Sequence, residues 1–137
     1  MRLEDLVNFF ETLTPQSLER LGDFYAPDAR FKDPFNDVQG VAAIRRIFEH
    51  MYRQVDAPRF VVSDRLAEGD RAMLVWNFHF VRRGQPQVIR GATHLCFAND
   101  GKVLIHRDYW DAAEELYMTL PGIGWLMRRL RAALAAG

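Results

Sequence analysis

The ten-residue stretch FKDPFNDVQG, which runs from Phe31 to Gly40, carries an acid in an apolar setting. Strand alternation puts the carboxylate of Asp33 on the same side as Ala29 and Phe31, directly before a proline and a turn. An ionised carboxylate in apolar surroundings is costly unless hydrogen bonds compensate it. Asp33 is therefore either a reactive carboxylate or a brace that accepts backbone hydrogen bonds from the turn at 36–38.

A second polar pair occurs in the segment KVLIHRDYW, near the end of the predicted strands. His106 and Asp108 are two residues apart, so their side chains share one face of a strand. A carboxylate that orients a neighbouring imidazole makes an acid and base pair that works near neutral pH. The competing interpretation buries Val103, Ile105 and Tyr109 instead, because a one-residue slip exchanges the two faces of a strand.

Metal and disulfide chemistry have little support in the sequence. The single cysteine, Cys96, lies in an apolar run and is typical of a core or interface residue in a reducing compartment. His79 and His94 lie on predicted strands, and two histidines alone make a poor metal site. We therefore predict no metal and no cofactor.

Length and charge predict one cytoplasmic domain over residues 1–137. The chain is 49% hydrophobic, which is enough for a core without disulfides. Eighteen basic residues balance eighteen acidic ones, which argues against nucleic acid and membrane surfaces as partners. The N-terminal segment MRLEDLVNFF has acids among its apolar residues, unlike a signal peptide, and no apolar run is long enough to span a membrane.

Hydrophobic spacing predicts helices in the first part of the chain. Apolar residues at helical intervals predict a first helix through Leu13, and Thr14 with Pro15 is typical of the cap and first turn of a second one that carries Tyr25. A third helix of about four turns is predicted from Val41 onward. Helical spacing returns in the tail at 112–137.

Strand signals fill the second half of the chain. Four runs rich in β-branched and aromatic residues begin at Arg59, and short turn signals at 68–70, 82–86 and 99–101 separate them. Turns of this kind join antiparallel neighbours, so the sequence predicts a meander. Helices followed by antiparallel strands predict an α+β fold, in which the helices cover one face of a curved sheet and enclose a pocket.

The segment FYAPDARFKDPFNDVQGVAAIRRIF, followed by the meander and by GKVLIHRDYWD, resembles the nuclear transport factor 2-like superfamily. The SnoaL-like domains and the ketosteroid isomerases are its most similar branches. The resemblance runs from Leu3 to Asp111, and its most specific pieces are Y-A-x-D-A-x-x-x-D-P and the terminal R-D-Y-W-D. It implies a cystatin-like cone with N-terminal helices packed on a curved antiparallel sheet, to which the tail adds a C-terminal helix. The scaffold hosts isomerases, cyclases, dehydratases, epoxide hydrolases and non-catalytic proteins, so the fold alone does not set the activity.

Carried over residue by residue, the resemblance makes Asp33 the counterpart of the isomerases' general base. That base moves a proton between carbons near a carbonyl, and an apolar pocket favours its chemistry. Phe9 and Thr93 fall where those enzymes have the tyrosine and the protonated aspartic acid that stabilise the enolate. Phe9 cannot donate a hydrogen bond and Thr93 is a weaker donor, so the chain departs from the isomerases here.

The family's strand register turns the final strand so that His106 and Asp108, with Leu104 and Trp110, face the pocket. The aspartate of R-D-Y-W-D is catalytic in the limonene epoxide hydrolases, which resemble this strand. Those enzymes pair an arginine with an acid two residues on, and Arg90 is followed there by Ala92. The same register lines the pocket with aromatic residues of the preceding hairpin, which are Trp76, Phe78 and Phe80.

The predicted function is the binding of a small hydrophobic or carbonyl-containing metabolite inside the cone. If the protein is an enzyme, it is a cofactor-independent isomerase, cyclase or dehydratase that acts by proton transfer, with Asp33, His106 and Asp108 as catalytic residues. The predicted ligand-binding residues are Phe9, Trp76, Phe78, Phe80, Thr93 and Trp110. The alternative is a non-catalytic ligand-binding or dimerisation module of the same fold, in which Asp33 braces its loop.

The outer face of the predicted sheet is apolar, with Val75, Cys96 and Ile105 among its members. An apolar sheet face needs cover, and a second copy of the chain supplies it in the simplest way. Both this face and the resemblance predict a homodimer formed sheet against sheet.

Overall fold

The computed structural model describes residues 2–111, 129 and 132–134. Helices and strands alternate in the first half, and strands alone fill the second half up to Trp110. The elements in chain order are α1 (Leu3–Glu11), a 3₁₀ helix (Gln16–Arg20), α2 (Leu21–Phe24), β1 (Tyr25–Lys32), β2 (Asp37–Gln39), α3 (Val41–Gln54), β3 (Asp56–Glu68), β4 (Arg71–Arg82), β5 (Gln85–Phe97) and β6 (Val103–Trp110).

The three predicted helical regions are present, with shorter ends than predicted. Helix α1 stops at Glu11, and the hydroxyl of Thr12 donates to the carbonyl of Asn8 at 2.7 Å, which satisfies a carbonyl near the end of the helix. Thr14 and Ser17 exchange hydrogen bonds at 2.9 and 3.1 Å, as expected where a new helix begins. The short α2 that follows ends at Phe24, so Tyr25 opens β1 instead of lying in a helix.

Helix α3 runs over Val41–Gln54, close to its predicted span. Gly40 precedes it with a φ of 95°, a left-handed conformation that glycine adopts without a Cβ penalty. The Gly40 amide donates to the carbonyl of Ala29 in β1 at 2.8 Å. This hydrogen bond ties the start of α3 to the first strand, so the helix lies over the inner face of the sheet.

The six strands form one curved sheet in the order β2, β1, β6, β5, β4, β3. The predicted antiparallel meander is confirmed for β3 to β6. The sheet as a whole is mixed, because β1 lies parallel to β6, with Phe31 opposite His106 and Lys32 opposite Arg107. Strand β2, for which the sequence analysis predicted only a turn, pairs antiparallel with β1.

The core lies between the helices and the inner face of the sheet, so the predicted α+β cone is confirmed. On β6 the register that buries His106 is the one adopted, while Ile105 and Tyr109 are exposed. Val103 is also buried, because a register shift beside Cys96 on β5 interrupts the alternation there. The largest of the fully buried side chains come from both layers and are Leu6, Val7, Leu21, Tyr25, Ile44, Leu74, Leu95 and Val103.

The helix predicted for the tail at 112–137 falls outside the described residues, except for 129 and 132–134, which are helical. Across the part of the chain that the structure describes, no helix has both the length and the apolar character that crossing a membrane requires.

Candidate functional site

A cavity of about 590 Å³ lies between α3 and the inner face of the sheet. A second cavity of about 30 Å³ adjoins it, since Phe48, Phe60, Trp76 and Asp108 line both. Aromatic rings form much of the larger wall; Phe60 and Phe78 stack at 4.6 Å, and other rings follow along β4. The site is therefore an apolar chamber with a small inner extension.

The imidazole of His106 is the centre of a buried hydrogen-bond chain. Its Nδ1 lies 2.7 Å from the hydroxyl of Tyr25, at the start of β1. Its Nε2 lies 2.8 Å from Oδ1 of Asp108, two residues along the same face of β6. Rings of Phe10 and Phe31 pack against the imidazole, so the chain is shielded from water on those sides.

The two ends of this chain, Tyr25 and Asp108, determine which atom donates in each hydrogen bond. Burial, together with the negative charge of Asp108, raises the pKa of Tyr25 well above its ordinary value, so the phenol keeps its proton. The carboxylate of Asp108 can only accept, so Nε2 of His106 donates to it, and Nδ1 of a neutral imidazole is left to accept from the Tyr25 hydroxyl. A neutral imidazole that accepts at Nδ1 carries its proton on Nε2, and that proton points at Asp108.

Two further side chains approach Asp108 from the sheet. The indole N–H of Trp76 donates to Oγ1 of Thr93 at 2.7 Å, and Thr93 lies 2.5 Å from Oδ1 of Asp108. Because the threonine oxygen accepts from the indole, its own hydroxyl proton is directed at the carboxylate. The pairing of β4 with β5 puts Gly91 opposite Trp76, and a Cβ at that glycine would lie 2.5 Å from the ring.

The two oxygens of Asp108 have different surroundings. Oδ1 accepts from both His106 and Thr93. Every buried side-chain nitrogen and oxygen in the described part of the chain has a hydrogen-bond partner, and no described residue donates to Oδ2. Oδ2 is therefore the accessible oxygen, and Asp108 lines both cavities, with 16% of its side chain exposed.

Asp33 also lines the larger cavity, but its carboxylate is engaged by its own loop. Oδ1 accepts from the backbone N–H groups of Phe35 at 2.8 Å and Asn36 at 2.6 Å. The side-chain amide of Asn36 contacts both carboxylate oxygens at 3.1 Å. The structure thus gives Asp33 the hydrogen bonds of a loop brace; of its two donor residues, Asn36 belongs to the predicted turn at 36–38 and Phe35 comes one residue before it.

Phe9 does not line either cavity. Its ring is buried and stacks on Phe24 with centroids 4.3 Å apart, while the next residue, Phe10, lines the inner cavity. Adjacent side chains of an α-helix point about 100° apart. An error of one residue in matching this helix to that of the isomerases therefore selects a side chain on a different face. In this structure Phe10, and not Phe9, faces the cavity.

The other predicted ligand-binding residues all line a cavity. Thr93 faces the inner one and Trp76 faces both. Leu104, which the predicted register also turned inward, packs against the core. Of the predicted ligand-binding residues, those that line the larger cavity are Trp76, Phe78, Phe80 and Trp110.

Sequence reasoning missed Tyr25 and Gly91. Tyr25 was read as an apolar residue of a helix, although it opens the segment Y-A-x-D-A that carries the family resemblance. Gly91 lies inside a strand, where a glycine often marks the close approach of another group. Within the described residues no group of three or more His, Cys, Asp or Glu side chains is placed to hold a metal ion.

Comparison with known proteins extends these observations. The family model of the SnoaL-like domain matches residues 6–106. A search of the curated proteins gave no match. A solved protein with a ketosteroid isomerase-like fold from Catenulispora acidiphila, in complex with trimethylamine, is 15% identical with a TM-score of 0.71, over 83% of this chain and 88% of that one.

Two other solved structures are similar over most of their length. An NTF2-like protein of unknown function from Burkholderia pseudomallei is 16% identical with a TM-score of 0.72, over 82% of this chain and 92% of that one. A proposed SnoaL-like polyketide cyclase from Shewanella putrefaciens is 21% identical with a TM-score of 0.68, over 86% and 98% of the two chains. Identities this low establish the fold alone, whereas the family model covers most of the chain. The chain therefore belongs to the SnoaL-like domain family.

Proposed function

We propose that the protein binds a small apolar, carbonyl-containing metabolite in the larger cavity and moves a proton on it, as a cofactor-independent isomerase, cyclase or dehydratase. Asp108 is the base in this proposal. The observation that carries it is the asymmetry of that carboxylate: Oδ1 accepts from His106 and Thr93, whereas Oδ2 accepts from no described residue, and the side chain lines the larger cavity.

The proposed step begins with a ligand whose carbonyl-bearing carbon chain lies beside Asp108. Oδ2 takes a proton from the carbon next to the carbonyl, the C–H electron pair moves into the enolate, and the proton is then returned elsewhere on the ligand. Fixing a carboxylate before the reaction removes the cost of orienting it during proton transfer. His106 and Thr93 are positioning residues here, and Tyr25 acts on Asp108 through His106.

The shape of the chamber supports a flat ligand. Rings on β3 and β4 that stack on one another line the larger cavity, and aromatic side chains favour planar, apolar partners. Two proteins of similar fold agree with such a ligand. One is the proposed polyketide cyclase from Shewanella putrefaciens, and the other is TerC, which was co-crystallized with polyporic acid.

A non-catalytic ligand-binding module is the second candidate. The observation that favours it concerns the two positions where isomerases stabilise an enolate. Phe9 lies in the core, and the hydroxyl of Thr93 is directed at Asp108, so neither offers a free donor to a ligand oxygen. Asp33 adds to this case, since its carboxylate is engaged by its own loop.

Exchange of hydrogen for deuterium at the carbon next to the carbonyl of β-tetralone tests the proposal without knowledge of the natural ligand. The wild-type protein should accelerate exchange over buffer, and Asp108→Asn should remove at least about 100-fold of that acceleration, the usual contribution of a general base. Asp33→Asn should retain most of it. Binding of β-tetralone and thermal melting of each variant serve as controls.

The outcomes separate the two candidates. Exchange that depends on Asp33 and not on Asp108 would contradict the proposed assignment. Binding of β-tetralone without any acceleration by the wild-type protein would favour the non-catalytic module.

A further inference from the structure

The larger cavity, on which the proposed function rests, has a basic side. Arg46, His50 and Arg53 of α3 all line it, and their spacing of four and three residues puts them on one face of the helix. Arg82, at the end of β4, lines the same cavity from the sheet. Helix and sheet therefore each bring cationic side chains to this chamber.

The polarity of the cavity changes along β4. Side chains two residues apart share a face, and the cavity-facing ones run from Trp76 through Phe78 and Phe80 to Arg82. Trp76 marks the end near Asp108, to which it is joined through Thr93. Six residues of strand span up to about 20 Å. The catalytic carboxylate and the arginine of β4 thus lie toward opposite ends of an aromatic wall.

The arginines on this side of the cavity have no acidic partner among the residues that the structure describes. Arg46, Arg53 and Arg82 make no ion pair or side-chain hydrogen bond within the described residues. Arg45 provides a contrast, because it pairs with Glu49 at 3.4 Å and does not line the cavity. Both arginines are exposed, but only Arg46 borders the cavity, and among the described residues only Arg45 has an ion-pair partner.

The acids that line the cavity do not neutralise this basic side. Asp33 is engaged by its own loop, and Asp108 is held by His106 and Thr93. Asp108 also repels an anion at its own end of the chamber. A ligand with one negative group would gain from placing that group among the arginines and its neutral part toward Asp108.

We propose that the ligand of this cavity is an anionic amphiphile, an apolar ring system that bears a carboxylate or a similar anionic group. The rings lie along the aromatic wall, the anionic group lies among Arg46, Arg53 and Arg82, and the reactive carbonyl end lies at Asp108. This placement determines which end of the bound ligand faces Asp108. An apolar wall alone would accept the ligand in either orientation. The proposal deepens the function above by naming the substrate class of the same site.

Two fluorescent probes with the same rings test it: anilinonaphthalene sulfonate, which is anionic, and N-phenylnaphthylamine, which is neutral. The wild-type protein should bind the sulfonate more tightly, and added salt should reduce that preference. A variant with Arg46→Gln, Arg53→Gln and Arg82→Gln should lose about tenfold in affinity for the sulfonate, the sum expected for three partly exposed pairs. Its affinity for the neutral probe should stay within about twofold.

Arg45→Gln is the matched control and should change neither affinity. Equal binding of both probes by the wild-type protein, or equal losses for both in the triple variant, would overturn the inference while leaving the proposed function in place. Failure of the neutral probe to bind at all would contradict the apolar ligand site itself, and with it both proposals.

Discussion

At the scale of single residues, hydrogen-bond partners distinguish the two carboxylates that line the cavity. Asp33 and Asp108 line the same cavity, yet Asp33 accepts its hydrogen bonds from its own loop and Asp108 leaves one oxygen accessible. The pairing of His106 with Asp108 could be predicted because a strand has only two faces. The state of Asp33 could not, since a brace and a base occupy the same position in the sequence and differ only in where the loop amides point.

Removal of the Tyr25 hydroxyl is expected to change how the free energy of unfolding depends on pH above neutrality. The folded protein keeps this proton above the ordinary tyrosine pKa of 10.0, whereas the unfolded chain releases it. Stability is therefore unaffected below that pH and falls above it by about 1.4 kcal/mol per pH unit. Tyr25→Phe should remove this part of the slope. It should also cost about 1–3 kcal/mol at neutral pH, because Nδ1 of His106 loses its donor.

Urea unfolding at neutral pH and at several alkaline pH values checks both expectations. Tyr52, whose pKa burial also raises, contributes equally to the two proteins and cancels in the comparison. An unchanged alkaline slope in the variant would show that Tyr25 does not hold its proton as described.

Gly91→Ala is expected to disturb the indole that supports Thr93. The new methyl group would lie 2.5 Å from the ring of Trp76, so the ring must shift, at a cost of about 1–3 kcal/mol. Thr93 then loses the donor that directs its own proton at Asp108. Near-ultraviolet circular dichroism and the free energy of unfolding measure the change.

Gly22→Ala is the control for that variant, because nothing lies within 4 Å of the added carbon at Gly22. Its stability should be unchanged or slightly higher, as for an alanine that replaces a helical glycine. Equal effects of the two substitutions would argue against close packing of Trp76 on Gly91.

At the scale of elements, the parallel contact between β1 and β6 builds the site. It puts Tyr25 of β1 within reach of His106 on β6 and leaves the loop after Lys32 beside Asp108. Local patterns predicted the helices and the meander, because each depends on residues close in sequence. The parallel pairing of β1 with β6 joins residues far apart in the chain, such as Phe31 and His106, and the sequence analysis did not predict it.

Asp33→Ala is expected to loosen the loop between β1 and β2. The substitution removes the acceptor for the amides of Phe35 and Asn36, which should cost about 1–3 kcal/mol of folding stability. Asp28→Ala is the matched control, since the exposed Asp28 side chain makes no hydrogen bond among the described residues. Chemical denaturation of both variants measures the difference. Equal stabilities would show that the brace contributes nothing.

At the scale of the whole molecule, the outer face of the sheet carries exposed apolar side chains. Val75 and Tyr109 lie in one row across β4, β5 and β6 with Ala92 between them, and Met73 and Ile105 extend this patch. Cys96 lies opposite Ile105 on the neighbouring strand, as expected for this face, and is half-buried. We propose that a second copy of the chain covers the patch, as the sequence analysis predicted.

Val75→Glu combined with Tyr109→Glu is expected to produce a monomer. Like charges brought together across a two-fold axis repel, and the lost apolar area weakens the contact further. Light scattering after size exclusion should give about half the wild-type mass, with unchanged circular dichroism. A wild-type protein that is already monomeric would contradict the dimer.

The central claim is that Asp108, and not Asp33, meets the ligand. Its most direct test is a magnetic resonance titration with β-tetralone of protein in which the aspartate side-chain carboxyl carbons carry an isotopic label. The spectra of Asp108→Asn and Asp33→Asn assign the two signals. We expect the Asp108 signal to move in proportion to bound ligand while the Asp33 signal stays in place. Movement of the Asp33 signal alone would contradict the account.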